Sequence, residues 1–142
     1  MEDITLRTEE LTLRIPVTIK SKVTDALKER IIGDLQQQLT LVDQDLNQIE
    51  FQAKRLLSEQ AKIDAQGLIQ LRQQLEMEKQ KRIDFKAEVS AKLRDAEKLE
   101  IGSEIVQATL EQSVTVRVGD DLNKLMGTEI LLEDGVVSAF RR

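Results

Sequence analysis

The spacing of apolar positions changes twice along the chain. Leu11, Leu13, Ile15, Val17 and Ile19 alternate with Thr12, Arg14, Pro16, Thr18 and Lys20. A period of two assigns the two sets to opposite faces of a strand, one aliphatic and one polar. Pro16 falls on the polar face and has no N–H to donate, which places the strand at a sheet edge or a bulge. Upstream, Ile4 and Leu6 extend this strand or fray from it.

At Thr24 the period becomes helical. Thr24 is the expected N-cap, with Asp25 in the first turn to favour the helix dipole. Ile32, Leu35, Leu39, Val42, Leu46, Ile49, Ala53 and Leu56 then follow at alternating steps of three and four, and the register runs on to Gln60 and Ile63. That is a heptad seam, broken only by Gly33 as far as about Asp64. At about 1.5 Å per residue such a helix is roughly 60 Å long, and its single apolar stripe needs a partner. Near Gly67, expected in the left-handed conformation that ends helices, the pattern stops. A second helix is predicted from about 68 to 99, with Leu68, Leu71, Leu75, Phe85, Val89, Ala96 and Leu99 in one register. Glu78, Arg82 and Lys92 interrupt that register, while Ile83 and Leu93 lie off it.

The two helices are expected to form an antiparallel coiled-coil hairpin with its turn near 64–68. Residues 34–50 carry Asp34, Asp43, Asp45 and Glu50 and no base; a turn at 66 sets them against 82–98, within which 82–94 carries Arg82, Lys86, Lys92 and Arg94 against Asp84 and Glu88. Exposed pairs contribute only about 0–1 kcal/mol each, so charge selects the pairing without holding it together.

After Gly102 the period returns to two. Ile105 to Val118 reads as a strand, and Asp120 or Asp121 caps a one-turn helix with Leu122 and Leu125 that ends at Gly127. Thr128–Leu132 and Val136–Phe140 flank Asp134-Gly135 as a hairpin. The fold class is therefore α+β: a helical hairpin (24–100) whose flanking segments, 1–23 and 101–142, build one small antiparallel sheet or half-barrel. The hairpin turn is left as a free tip.

Composition narrows the chemistry. There is no Cys and no His, which removes thiolate nucleophiles, Cys/His zinc sites and a Ser-His-Asp triad. With no Trp or Tyr and only Phe51, Phe85 and Phe140, packing rests on aliphatic knobs. No apolar run approaches the roughly 20 residues that span a bilayer, and the N-terminus lacks a signal-like apolar segment. A soluble, cytoplasmic, non-catalytic protein is expected, with no cofactor, no metal, no membrane and no small-molecule substrate. The net charge of −5 disfavours nonspecific nucleic-acid binding; only 67–100 has more bases than acids, eight against seven.

The C-terminal third carries a resemblance. Gly102-Ser103-Glu104-Ile105, Val116-Arg117-Val118-Gly119-Asp120 and Ile130-Leu131-Leu132-Glu133-Asp134-Gly135-Val136-Val137 resemble the YlqD family of small bacterial proteins. The layout of an N-terminal strand, central Glu/Lys/Gln-rich helices and a β-tail is similar too. The resemblance implies a bacterial cytoplasmic setting and proximity to translation machinery. It transfers no catalytic residues, because no activity is established for the family.

Three places invite a functional reading. Leu56, Leu57, Ile63, Leu68 and Ile69 gather at the hairpin tip, where they close the hairpin on itself, grip a partner or meet a second chain. The basic run Lys79, Lys81, Arg82 and Lys86 is a candidate phosphate-binding face, set against its reading as a charge-laced solvated face. Asp120-Asp121 with Glu133-Asp134 offers oxygens to a divalent ion, set against turn capping. The expected function is an interaction or scaffold protein that binds a protein partner and self-associates. An RNA- or ribosome-associated module and a holdase-like chaperone gripping with its tip are the alternatives.

Overall fold

In the computed structural model, residues 9–142 are described; the readings of Ile4 and Leu6 lie outside them. The chain divides into two compact units, a sheet unit (residues 9–27 with Glu100–Arg142) and a hairpin unit (Lys28–Leu99).

The sheet unit holds β1 (Glu10–Lys22), β2 (Glu104–Arg117), a one-turn helix, β3 (Glu129–Glu133) and β4 (Val136–Arg141), in the order β2-β1-β3-β4. β2 pairs antiparallel along all of β1, with a bulge at Ile19/Lys20. β3 pairs with β1 at Thr18–Ser21 in parallel, and antiparallel with β4, so the sheet is mixed rather than wholly antiparallel. The cause is the connection after β2. It carries the short helix (Leu122–Leu125) along β1 before β3 begins, and Gln112 Nε2 donates to Thr128 Oγ1 at 3.4 Å, which places it over the aliphatic face. On that face Ile15, Val17 and Ile19 are buried, and Ser21, Val23 and Leu27 continue the buried line into the first helix.

β1 is therefore an inner strand, yet Pro16 is still tolerated. The Thr18 N–H bonds to Thr128 O, so even-numbered N–H groups of β1 point away from β2. At Pro16 no β3 residue stands opposite, and the missing donor costs no ladder bond. The sheet is inner at Thr18 and open at Pro16.

Ion pairs line the polar face: Lys20 with Glu129 (2.5 Å), Lys22 with Glu133 (3.8 Å) and Arg141 with Glu104 (2.6 Å). The last pair joins the outermost strands. The hydrogen bond from Lys20 holds the Glu129 carboxyl below the usual glutamate range, against the desolvation that would raise it. A carboxyl whose folded pKa is lowered stabilises the fold above its unfolded pKa, and that contribution disappears as pH falls through the folded value. Thermal melts of the wild type should therefore decline through the acid carboxylate range, and the Glu129→Gln variant should decline less steeply.

In the hairpin unit, α1 (Asp25–Ala61) and α2 (Ala65–Glu97) are joined through Lys62, Ile63 and Asp64. Thr24 is the expected cap of α1: its Oγ1 accepts from Leu27 N at 3.1 Å and donates to Asp134 Oδ1. At the same end of the pair, Lys28 Nζ donates to Leu99 O at 2.8 Å, a cation answering the C-terminal end of α2. Gly67 does not end a helix. It lies in the first turn of α2, and the cap is Asp64, whose carboxylate accepts from Gln66 N at 3.0 Å and Gly67 N at 3.2 Å. A Cβ at 67 would meet the mobile end of the Gln60 side chain, which can swing aside, and the backbone there is helical rather than left-handed. Asp64→Ala should cost about 1 kcal/mol, read as a lower denaturation midpoint of the helical circular-dichroism signal.

Candidate functional site

The hairpin presents its chemistry according to register. On α1 all eight seam positions from Ile32 to Leu56 are half-buried or buried, while Leu41 and Phe51 lie outside the seam and are exposed. On α2 the covered line runs Leu68, Leu71, Leu75, Lys79, Arg82, Lys86, Val89, Leu93 and Ala96. It leaves the expected register by one residue after Leu75. Phe85, expected in the seam, is therefore exposed, and Leu93, expected off it, is covered. Two successive steps of four bring the local repeat nearer the pitch of a straight helix, so the line stays on α1 instead of drifting around α2.

That shift decides the place of the basic run. Lys79 reaches Glu50 of α1 at 3.1 Å and Lys86 reaches Asp43 at 2.6 Å, with their stems lying over the seam. The two pairs fix an antiparallel register in which Glu50 meets Lys79, where a turn at 66 would have set it against residue 82. Arg82 is half-covered and bonds to Glu78 at 2.8 Å, and Lys81 approaches the same carboxylate at 3.5 Å. The hydrogen bond from Arg82, with Lys81 nearby, holds Glu78 below the usual glutamate range. Each of the four candidate cations thus has a carboxylate partner within the hairpin.

The five tip residues divide. Leu56 and Leu68 are half-buried on the seam, and Leu57 lines a groove of about 340 Å³ between the helices together with Ile49, Ala53 and Leu75. Ile63 and Ile69 project outward. Two further apolar side chains that periodicity did not single out, Phe51 and Met77, also lie bare in the half of the hairpin nearest its turn. An aromatic ring away from a clean heptad seam was the available signal for Phe51.

The acidic residues of the tail have local partners. Asp120 Oδ2 accepts from Arg117 N at 2.7 Å, and Asp121 Oδ1 accepts from Asn123 N at 3.0 Å as the cap of the short helix. Asp134 accepts from Thr24 and Glu133 pairs with Lys22. The Asp134-Gly135 turn has φ of 49° and 81°, the left-handed pair that a two-residue hairpin turn needs.

A family model described as YlqD protein matches residues 11–141, from β1 through both helices to the end of β4. The chain belongs to the YlqD family. Its motif residues prove to be those that shape the sheet unit, including Gly102 at the start of β2, whose φ of +92° suits glycine. A crystal structure of a protein of unknown function from Synechococcus sp. WH 8102 is similar, with a TM-score of 0.76 at 23% identity over 94% of this chain and 95% of that chain. At that identity the likeness shows the fold. No curated protein matches. Among the described residues, no helix is long and apolar enough to cross a membrane.

Proposed function

We propose that this YlqD-family chain is a non-catalytic interaction protein that binds a protein partner through the turn-proximal half of its helical hairpin. One observation carries the reading: Phe51, Ile63, Ile69 and Met77 are 72%, 76%, 60% and 63% exposed, all in that half. A paired helical hairpin has an internal seam to hide such residues, and these lie outside it. Exposed apolar side chains concentrated toward one end of a hairpin are what a docking end supplies. The pairing of Lys79, Lys81, Arg82 and Lys86 with carboxylates of the same hairpin supports a protein partner over RNA, because phosphate would have to displace them.

The test uses the triple variant Phe51→Ser, Ile63→Ser and Ile69→Ser. These side chains add little to the hairpin's own packing, so helicity should persist. Affinity capture from the native cell should then lose the proteins retained by the wild type. Equal capture by both chains would count against the reading. Suppression of client aggregation by the wild type alone would assign the same surface to a holdase.

A further inference from the structure

Among the described residues, the sheet unit has three open stretches of strand edge, and they are not protected alike. On β1 the stretch without a β3 neighbour carries Arg14 and Pro16, and Pro16 cannot donate to an added strand. β4 is only six residues long, is bulged against β3, and ends in Arg141. β2 is different. It is 14 residues long, sits at the end of the sheet, contains no Pro and no Lys, and between Glu104 and Arg117 bears one charge, Glu111. Its one bulge is at Gln107, and the regular stretch beyond it, Ala108 to Val116, has no Pro, Lys or bulge, which makes it a template for another strand.

The geometry of the edge can be read from the β1–β2 ladder. Odd-numbered residues of β1 point their backbone groups to β2, since Val23 N bonds to Ser103 O. Their partners, from Ala108 to Val116, are the even-numbered residues of β2. The N–H and C=O groups of Thr109, Glu111, Ser113 and Thr115 therefore face outward. An antiparallel copy of β2 laid on this edge about a two-fold axis at Val114 would set Glu111 opposite Arg117, Ser113 opposite Thr115 and Leu110 opposite Val118, each twice, with Val114 against itself. The strand's one mid-length acid thus meets its one base. Leu110 and Val118, 58% and 93% exposed, meet each other. Axes one or two residues closer to the middle of the strand put Glu111 opposite Thr115 or Ser113 and leave the charges unmatched.

We infer that β2 is a homodimer interface, on which a second copy of this chain adds its own β2 antiparallel across the two-fold axis at Val114 to make one continuous eight-stranded sheet. Arg117, already 3.0 Å from Glu10 of its own chain, is then flanked by carboxylates on both sides. This interface lies on the sheet unit and does not depend on the hairpin reading.

Sedimentation velocity over a wide concentration series tests it with the full chain. The wild type should show a monomer–dimer equilibrium. Ser113→Pro removes an outward N–H and no bond to β1, so it should abolish the dimer while the circular-dichroism spectrum stays that of the wild type. Glu111→Lys sets like charges across both ends and should weaken association roughly tenfold; adding Arg117→Glu should recover most of the loss. The hairpin triple variant should dimerise as the wild type does. A wild type that stays monomeric throughout the series overturns the inference, and so does a dimer that Ser113→Pro leaves unchanged. If Ser113→Pro perturbs folding, the charge pair decides: no recovery in the double variant also overturns it.

Discussion

Replacing Val23 by aspartate should unfold the sheet unit, at a cost of about 3–5 kcal/mol for a buried carboxylate with no partner. Val23 is wholly inaccessible and stands where β1 gives way to α1. Its N–H donates to Ser103 O at 2.7 Å and its carbonyl accepts from Gly102 N at 2.8 Å, so the backbone there cannot swing outward to hydrate a charge. The milder Val23→Ala should still cost about 2 kcal/mol through the cavity it leaves. Chemical denaturation followed by circular dichroism measures both. Val106→Thr, at a half-exposed position in the same unit, should stay within about 0.5 kcal/mol of the wild type. If Val23→Asp melts as the wild type does, the packing assigned to this junction is wrong.

The second large effect is an inversion. Val89→Ala should destabilise the hairpin by about 2 kcal/mol, while Phe85→Ala, which deletes far more apolar surface, should cost less than about 1 kcal/mol. Val89, on the seam in either register, is 1% exposed, and Phe85 is 45% exposed because the α2 register moves by one residue after Leu75. An uninterrupted heptad through Phe85 and Val89 predicts the opposite order. Thermal melts of the two variants, monitored by helicity, therefore read the register directly, and equal or reversed losses would reject the shifted one.

The contrast between the two helices shows why one was legible and the other was not. In α1 every seam position is aliphatic, so the period by itself names the buried face. In α2 the seam passes through Lys79, Arg82 and Lys86, residues that a hydropathy pattern counts as solvated. Their stems pack and the charged groups of Lys79 and Lys86 find Glu50 and Asp43, which depends on what stands across the groove, while Arg82 pairs with Glu78 one turn back on its own helix. The acidic stretch of α1 did announce a basic partner, and displacing the turn from 66 to 62–64 was enough to change which residues met. Asp64 shows the same dependence. Its cap is a local event, but Gly67 offered a competing local signal three residues later.

The strands were legible where alternation was strict and turns had fixed chemistry. Leu11 to Ile19 announced its aliphatic face, and Asp134-Gly135 its left-handed turn. Strand order was not. Nothing along the sequence states that β3 lies parallel to β1, since that follows from a connection which runs from the level of Glu10 to that of Thr18 before pairing begins. Pro16 was read as a mark of an edge or a bulge; it sits in a strand that is inner from Thr18 on, at a residue where the neighbouring strand has not yet started and the edge is open.

By itself the sequence determined the elements, the hairpin, the family and the chemistry that missing Cys and His remove, because these follow from periods, caps and residue inventories that act over a few residues. Only the tertiary structure decided the register of α2, the inward turn of the basic residues, the mixed sheet and which strand edge stays open. Each of those depends on what lies opposite a residue in space, a quantity that local pattern does not carry.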